Sequence, residues 1–205
     1  MENKNLFLEK VSDLFIQNGA KTVTMDDIAK EFSMSKKTLY QQYTNKEEVL
    51  KAVLSYKLSD IVFHMKEVEK LTANPIERML LREKNLQTIT QANKTVFLRQ
   101  LHKYYPIIFN DHVLEVYSKI SVIILHNIQI GREEGYYRNN FNEAIYVKFM
   151  MQLFLSMEGS SLFEEEAKNP AHLCQNATEF FLYSILTPKG TEILTQLKTK
   201  YEELA

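Results

Sequence analysis

The chain has 205 residues, 45% of them hydrophobic, with a net charge of −1 and a single cysteine. That is enough apolar material for one large domain or a small one plus a larger one, while near-neutrality gives no global pull toward nucleic acid or anionic membrane. Cys174 alone excludes an intrachain disulfide framework and fits a reducing compartment, as a small buried hydrophobe.

Five glycines and four prolines punctuate segments of helical periodicity, and the alternation of a half-buried sheet is nearly absent. The spacing of Leu6, Phe7, Val11, Leu14 and Phe15 predicts a helix over 3–18, stopped by Gly19. Thr24 with Asp27 three residues on reads as a capping box, and Ile28, Ala29 and Phe32 form the buried face of the helix it opens. Ser33-Met34-Ser35 makes a turn, and Ser35 caps a short helix over 36–42 from which Leu39 and Tyr43 pack inward. Asn45 and Glu48 then cap a long helix running to about Leu71.

Further starts and stops follow at Asn74-Pro75, near Pro106, at Gly135 and at Asn169-Pro170. Pro188-Lys189-Gly190 precedes a last amphipathic segment carrying Ile193, Leu197 and Tyr201. Ser121–Leu125 is rich in β-branched residues, but Val113, Val116, Ile120, Ile124 and Ile128 step through it by threes and fours. It is read as part of a central helix. The sum is an all-α chain of nine or ten helices. Its amino terminus lacks the basic-then-apolar pattern of a signal peptide, and no apolar run approaches the roughly 20 residues of a membrane span. A soluble cytoplasmic protein without a membrane partner is expected.

Two short helices joined by a tight turn, followed at once by the cap of a third, are the layout of a helix-turn-helix. No acidic residue falls between Glu31 and Glu47, while Lys36, Lys37 and Lys46 do, a small positive face suited to phosphate. The side chains at the start of a recognition helix lie nearest the base edges. Ser35, Lys36, Lys37, Thr38 and Gln41 are therefore candidate DNA contacts. Gln41 suits adenine; Lys36 and Lys37 suit guanine edges or phosphates equally.

This segment resembles the amino-terminal part of the TetR/AcrR family of bacterial transcriptional regulators. The resemblance lies in Leu14-Phe15, Gly19, Thr22 to Thr24, Ile28-Ala29, Ser35-Lys36-Lys37-Thr38-Leu39-Tyr40, Tyr43 and Asn45-Lys46-Glu47-Glu48-Val49-Leu50, about a quarter of the chain. It implies an amino-terminal three-helix DNA-binding domain, residues 1–48, followed by a larger helical effector-binding and dimerisation domain, residues 49–205. It also adds Tyr40, Thr24 and Lys46 as phosphate contacts. Packing is the plain alternative for Tyr40 and helix capping for Thr24, whose free amides attract phosphate in any case. One departure stands out: the family favours glycine where this chain has Ser33. A left-handed serine costs about 1–2 kcal/mol.

One short helix reads too few base pairs for a selective site, so the resemblance implies a homodimer on a near-palindromic operator. Residues 145–157 are apolar nearly all round and 180–183 repeat the feature, which suits a four-helix dimer interface. The family's usual mode is repression relieved by a small molecule. Phe63, Phe97, Leu101, Tyr104, Tyr105, Tyr117, His126, Met150 and Phe154 are the candidate lining of a cavity for an apolar or amphipathic effector. Plain core is the competing reading of such a set. The histidines show no metal-ligand spacing, and neither a catalytic motif nor a phosphate-binding glycine loop occurs. No cofactor, no metal and no enzyme activity is expected. The rival function is a helical effector-binding or interaction protein that no longer reads DNA specifically.

Overall fold

The computed structural model describes residues 2–89, 94–157 and 160–203. Ten α-helices and two 3₁₀ turns follow one another along the described residues, with no strand among them. The chain divides into two compact units, residues 1–61 with 91–116, and residues 62–90 with 117–205.

The first unit holds α1 (Glu2–Asn18), α2 (Met25–Glu31), α3 (Lys36–Gln42), residues 46–61 of α4 (Lys46–Leu71), α6 (Lys94–Tyr104) and the start of α7 (Pro106–Glu133). Its core takes most of the apolar positions expected from helical spacing, although Leu6 of α1 is 51% exposed. Val11, Phe15, Ile28, Leu39, Val49, Leu50 and Leu101 are sealed from solvent, each such side chain stabilising the fold by about 1.5–3 kcal/mol. Phe7 packs between Phe32 and Tyr43, with ring centroids 4.6 Å and 5.8 Å away. Phe15 stacks on Phe97 at 6.0 Å, which ties α1 to α6. This unit extends past residue 48 because α6, remote in sequence, closes the apolar face of α1.

The second unit holds residues 62–71 of α4, α5 (Pro75–Ile89), residues 117–133 of α7, α8 (Glu143–Met157), α9 (Pro170–Ile185) and α10 (Pro188–Glu202). Helix α5 packs on α9 and α10, and α8 packs on α9. The turn after α7 is set by two glycines. Gly131 carries no Cβ because one would lie 2.0 Å from the Tyr137 ring, and Gly135 takes φ +74°. The chain then pairs briefly antiparallel with the end of α9: the Arg138 amide donates to the Ile185 carbonyl at 2.8 Å, and the Thr187 amide to the Tyr136 carbonyl at 2.9 Å.

Three expectations are corrected. The last helix begins at Pro188, with Thr187 as its cap, so Pro188-Lys189-Gly190 is its first turn and not a preceding loop. Proline is harmless at that position, and Gly190 fits because a Cβ would lie 2.3 Å from the Tyr136 carbonyl oxygen. Cys174 is only half-buried. Helix α7 is long and apolar enough, by length and composition, to cross a membrane. It nevertheless buries Ser121 and Asn127 along with Ile123, Ile124 and Ile128, and the Asn127 amide group donates to the Pro75 carbonyl at 2.9 Å.

Candidate nucleic-acid interface

The helix-turn-helix is built by local bonds that the sequence specifies. Thr24 opens α2: its hydroxyl accepts from the Asp27 amide at 3.1 Å, while the Asp27 carboxylate accepts from the Thr24 amide at 2.8 Å and its hydroxyl at 2.7 Å. Those bonds to Thr24, helped by Lys30 and Lys46, hold the Asp27 carboxyl below its ordinary value. Helix α2 ends in a Schellman arrangement, with the Ser33 amide donating to the Lys30 carbonyl and the Met34 amide to the Ala29 carbonyl, both at 3.0 Å. Ser33 is the residue that takes the left-handed backbone, at φ +50°.

Ser35 caps α3, accepting from the Thr38 amide at 3.0 Å, and the Ser35 and Thr38 hydroxyls bond each other at 2.7 Å. Leu39, fully buried, anchors the helix to the core. A helix of seven residues pinned by one such anchor turns the rest outward: Lys36, Lys37, Thr38, Gln41 and Gln42 are exposed, and so is Tyr40 at 48%. The structure thus brings Ser35, Lys36, Lys37, Thr38, Tyr40 and Gln41 together on one short element.

Two of the expected contacts carry partners that linear spacing did not reveal. The Lys36 ammonium lies 2.6 Å from the Asp26 carboxylate of α2, which also raises the lysine above its ordinary value. The window between Glu31 and Glu47 is free of acid in sequence but not in space. Lys46, at the start of α4, donates to the Lys21 carbonyl at 3.0 Å and lies 5.6 Å from the Tyr105 ring centroid. Asn45 caps this helix by accepting from the Glu48 amide at 3.0 Å, and the Glu48 carboxylate returns to the Thr44 amide at 2.6 Å.

The nine effector candidates are divided between the two units. Phe97 and Leu101 are core residues of the first unit, and Tyr104 and Tyr105 lie under lysines there. In the second unit Met150 is buried, Phe154 and Tyr117 are half-buried, and the Lys148 ammonium lies 5.8 Å from the Tyr117 ring. Phe63 is 58% exposed, its ring edge-on to His64. His126 is exposed; it lines a cleft of about 330 Å³ with Leu125, Ile128, Gln129, Arg132 and Glu143. Arg132 is already engaged there, bonded to Glu143 at 2.8 Å and to the Phe141 carbonyl at 2.8 Å. A second cleft, of about 490 Å³, lies in the first unit among Leu14, Asn18, Thr22, Val23, Asp27, Lys30 and Glu31. Among the described residues, no group of three histidine, cysteine, aspartate or glutamate side chains could hold a metal ion.

Residues 8–53 match the family described as bacterial regulatory proteins, tetR family. No curated protein matches the chain. Among solved structures, the fold is similar to that of a protein described as a transcriptional regulator from Saccharomonospora viridis in complex with choline, at TM-score 0.74 and 18% identity, covering 91% of this chain and 100% of that one. A TetR transcription regulator from Haloarcula marismortui is similar at TM-score 0.71 and 17% identity, with the same coverage. Reduced NemR of E. coli is similar at TM-score 0.70 and 14% identity, covering 89% of this chain and 96% of that one. Over residues 8–53 the chain thus resembles the tetR family of bacterial regulatory proteins, and its all-α fold is similar to that of such regulators.

Proposed function

We propose that the protein is a homodimeric repressor that reads a near-palindromic operator and is released from it by a small apolar or amphipathic effector, in the cytoplasm. Residues 1–48 supply the reading head and residues 49–205 the effector-binding and dimerising body. The observation that carries the reading is the outward presentation of Ser35 to Gln41 from a helix anchored by buried Leu39. Ser35, Thr38 and Gln41 meet base edges, Lys36 and Lys37 meet bases or phosphates, and Tyr40, Thr24 and Lys46 grip the backbone.

Dimerisation rests on apolar side chains left uncovered on two adjacent helices. Ile145 (46%) and Phe149 (63%) on α8, with Phe180 (70%) and Tyr183 (52%) on α9, are exposed, an arrangement that marks an association surface. Regulation runs along α4, one continuous helix over Lys46–Leu71 that begins at a DNA contact and continues into the second unit. An effector that favours one tilt of α4 changes the spacing of the two heads. Moving the equilibrium from 1:99 to 99:1 takes about 5.5 kcal/mol of differential affinity.

Genome-wide mapping of bound DNA, followed by affinity measurements on recovered sites, tests the reading. Selective binding to paired half-sites with steep salt dependence is expected. Equal, weak binding to scrambled duplex would instead favour an interaction protein whose helix-turn-helix is idle, a reading to which the Asp26–Lys36 ion pair lends support.

A further inference from the structure

Three ammonium groups from separate stretches of the first unit gather around two adjacent tyrosine rings. The Lys21 ammonium, between α1 and α2, lies 4.4 Å from the Tyr104 ring centroid, and that of Lys103, in the last turn of α6, lies 5.3 Å from the same ring. Lys46, at the start of α4, sits by Tyr105 and donates to the Lys21 carbonyl. The assembly is fixed from behind. Gln100 of α6 accepts from the Lys21 amide at 3.0 Å, and its amide group fills the space above Gly19, where a Cβ would lie 2.4 Å from it.

Lys36 is neutralised by Asp26, but Lys21, Lys46 and Lys103 form no ion pair with any described carboxylate. Their positive field is strong enough to hold the exposed Tyr104 phenol below its ordinary value, with Lys103 and Lys21 as the leading causes. Like charges gathered on one face repel one another, and a polyanion relieves that repulsion while releasing its own condensed counterions. Lys21 stands three residues before Thr24, and Lys46 is itself an expected backbone contact.

We propose that Lys21 and Lys103 continue the contact made by Lys46 into a basic ridge that grips the sugar–phosphate backbone of duplex DNA outside the major groove, bringing α6 into the footprint. Tyr104 and Tyr105 serve as the platform that holds the cations apart and solvent-facing. The inference rests on the DNA-reading function proposed above. It adds sequence-independent grip, so its loss weakens binding to selected and scrambled duplexes alike.

The probe is a duplex that the full-length wild-type protein recovers from a random-sequence library. For the Lys21→Gln, Lys103→Gln double variant, the slope of log affinity against log salt is expected to shrink in magnitude by about 2, one unit per phosphate contact. The hydroxyl-radical footprint should shorten, with circular dichroism unchanged. Lys66→Gln, an exposed lysine of the second unit, controls for net charge and should leave the slope as in wild type. A double variant with wild-type slope and footprint overturns the ridge while leaving DNA reading intact, and so does an equal slope change in Lys66→Gln. Failure of the wild-type protein to recover any duplex overturns the DNA-reading function, and the ridge with it.

Discussion

The Lys36 ammonium and the Asp26 carboxylate, ten residues apart in sequence, meet at 2.6 Å across the turn of the helix-turn-helix. A cation at the head of the recognition helix is therefore held by its own protein before any DNA arrives. Binding to a phosphate or a guanine edge exchanges one anionic partner for another, and leaves Asp26 facing the duplex with its charge uncompensated.

Asp26→Asn removes that competitor and a repulsive charge together. The variant is expected to bind duplex DNA several-fold more tightly, with a salt slope steeper by up to about one unit. Lys36→Ala should weaken binding in either background. Fluorescence anisotropy over a salt series reads both effects, and weaker binding by Asp26→Asn would mean that the carboxylate positions the lysine for readout.

Ser33 takes φ +50° in the turn that sets the approach of α3. Ser33→Gly removes the left-handed penalty of about 1–2 kcal/mol but adds unfolded-state entropy, so a net gain of up to about 1 kcal/mol is expected. Ser33→Val, branched at Cβ, should destabilise by more than that. Thermal unfolding of the three proteins orders them glycine, serine, valine.

Gly131 and Tyr137 form a lock in the second unit. A Cβ at 131 would meet the buried ring at 2.0 Å, so Gly131→Ala should cost about 1–3 kcal/mol or more. The Tyr137 hydroxyl is buried without a hydrogen-bond partner, and burial pushes the phenol far above its ordinary value despite Asn127 and the cations of Arg82 and Arg78. Tyr137→Phe deletes an unsatisfied group and should leave stability equal or higher by about 1 kcal/mol. A marked loss in denaturant titration would contradict this.

Glu77 of α5 ties down the carboxy-terminal helix, accepting from Lys200 at 3.0 Å and from the Tyr201 hydroxyl at 2.9 Å. Burial raises the Glu77 carboxyl, but bonds from Thr72, Lys200 and Tyr201 together outweigh it and leave the group lowered. Burial and Glu77 push Tyr201 up to about 12. A lowered carboxyl stabilises the fold above its unfolded value, and that contribution is lost as pH falls through the folded one. A raised phenol contributes fully below its ordinary 10.0, and the contribution is lost as pH rises toward about 12. Docking of α10, followed by hydrogen exchange, should therefore weaken in acid and again above about pH 10. Glu77→Gln should abolish the acid limb.

Exposed apolar side chains on α8 and α9 give the dimer its test. Phe149→Glu with Phe180→Glu alters side chains that are 63% and 70% exposed in the single chain, so folding should be retained. Sedimentation is expected to show a dimer for the wild-type protein and a monomer for the variant, with operator affinity lost by orders of magnitude as the paired half-sites decouple. A variant that remains dimeric would place the interface elsewhere.

Helix boundaries were legible in the sequence because capping is local. Thr24 with Asp27, Ser35 before Lys36, Asn45 with Glu48, Asn74 before Pro75 and Asn169 before Pro170 each satisfy free amides within a few residues. The outward face of α3 was legible for the same reason, since a buried Leu39 fixes which side of a seven-residue helix meets solvent. Periodicity overruled β-propensity along α7, where Ser121–Leu125 proved helical. It could not say which helix each apolar face would meet. Phe97, Leu101, Tyr104 and Tyr105, candidates for an effector lining, belong to the first unit, where Phe97 and Leu101 are core and lysines lie over the two tyrosines.

The sequence by itself determined the helices, their caps, the left-handed turn at Ser33 and the outward face of α3, because each depends on bonds and sterics spanning a few residues. Tertiary structure alone decided that Asp26 restrains Lys36, that Lys21, Lys46 and Lys103 share one tyrosine platform, and that the effector candidates part between two units. Charge pairing and cavity lining depend on distances between residues far apart along the chain, and those distances are set only when apolar faces choose their partners.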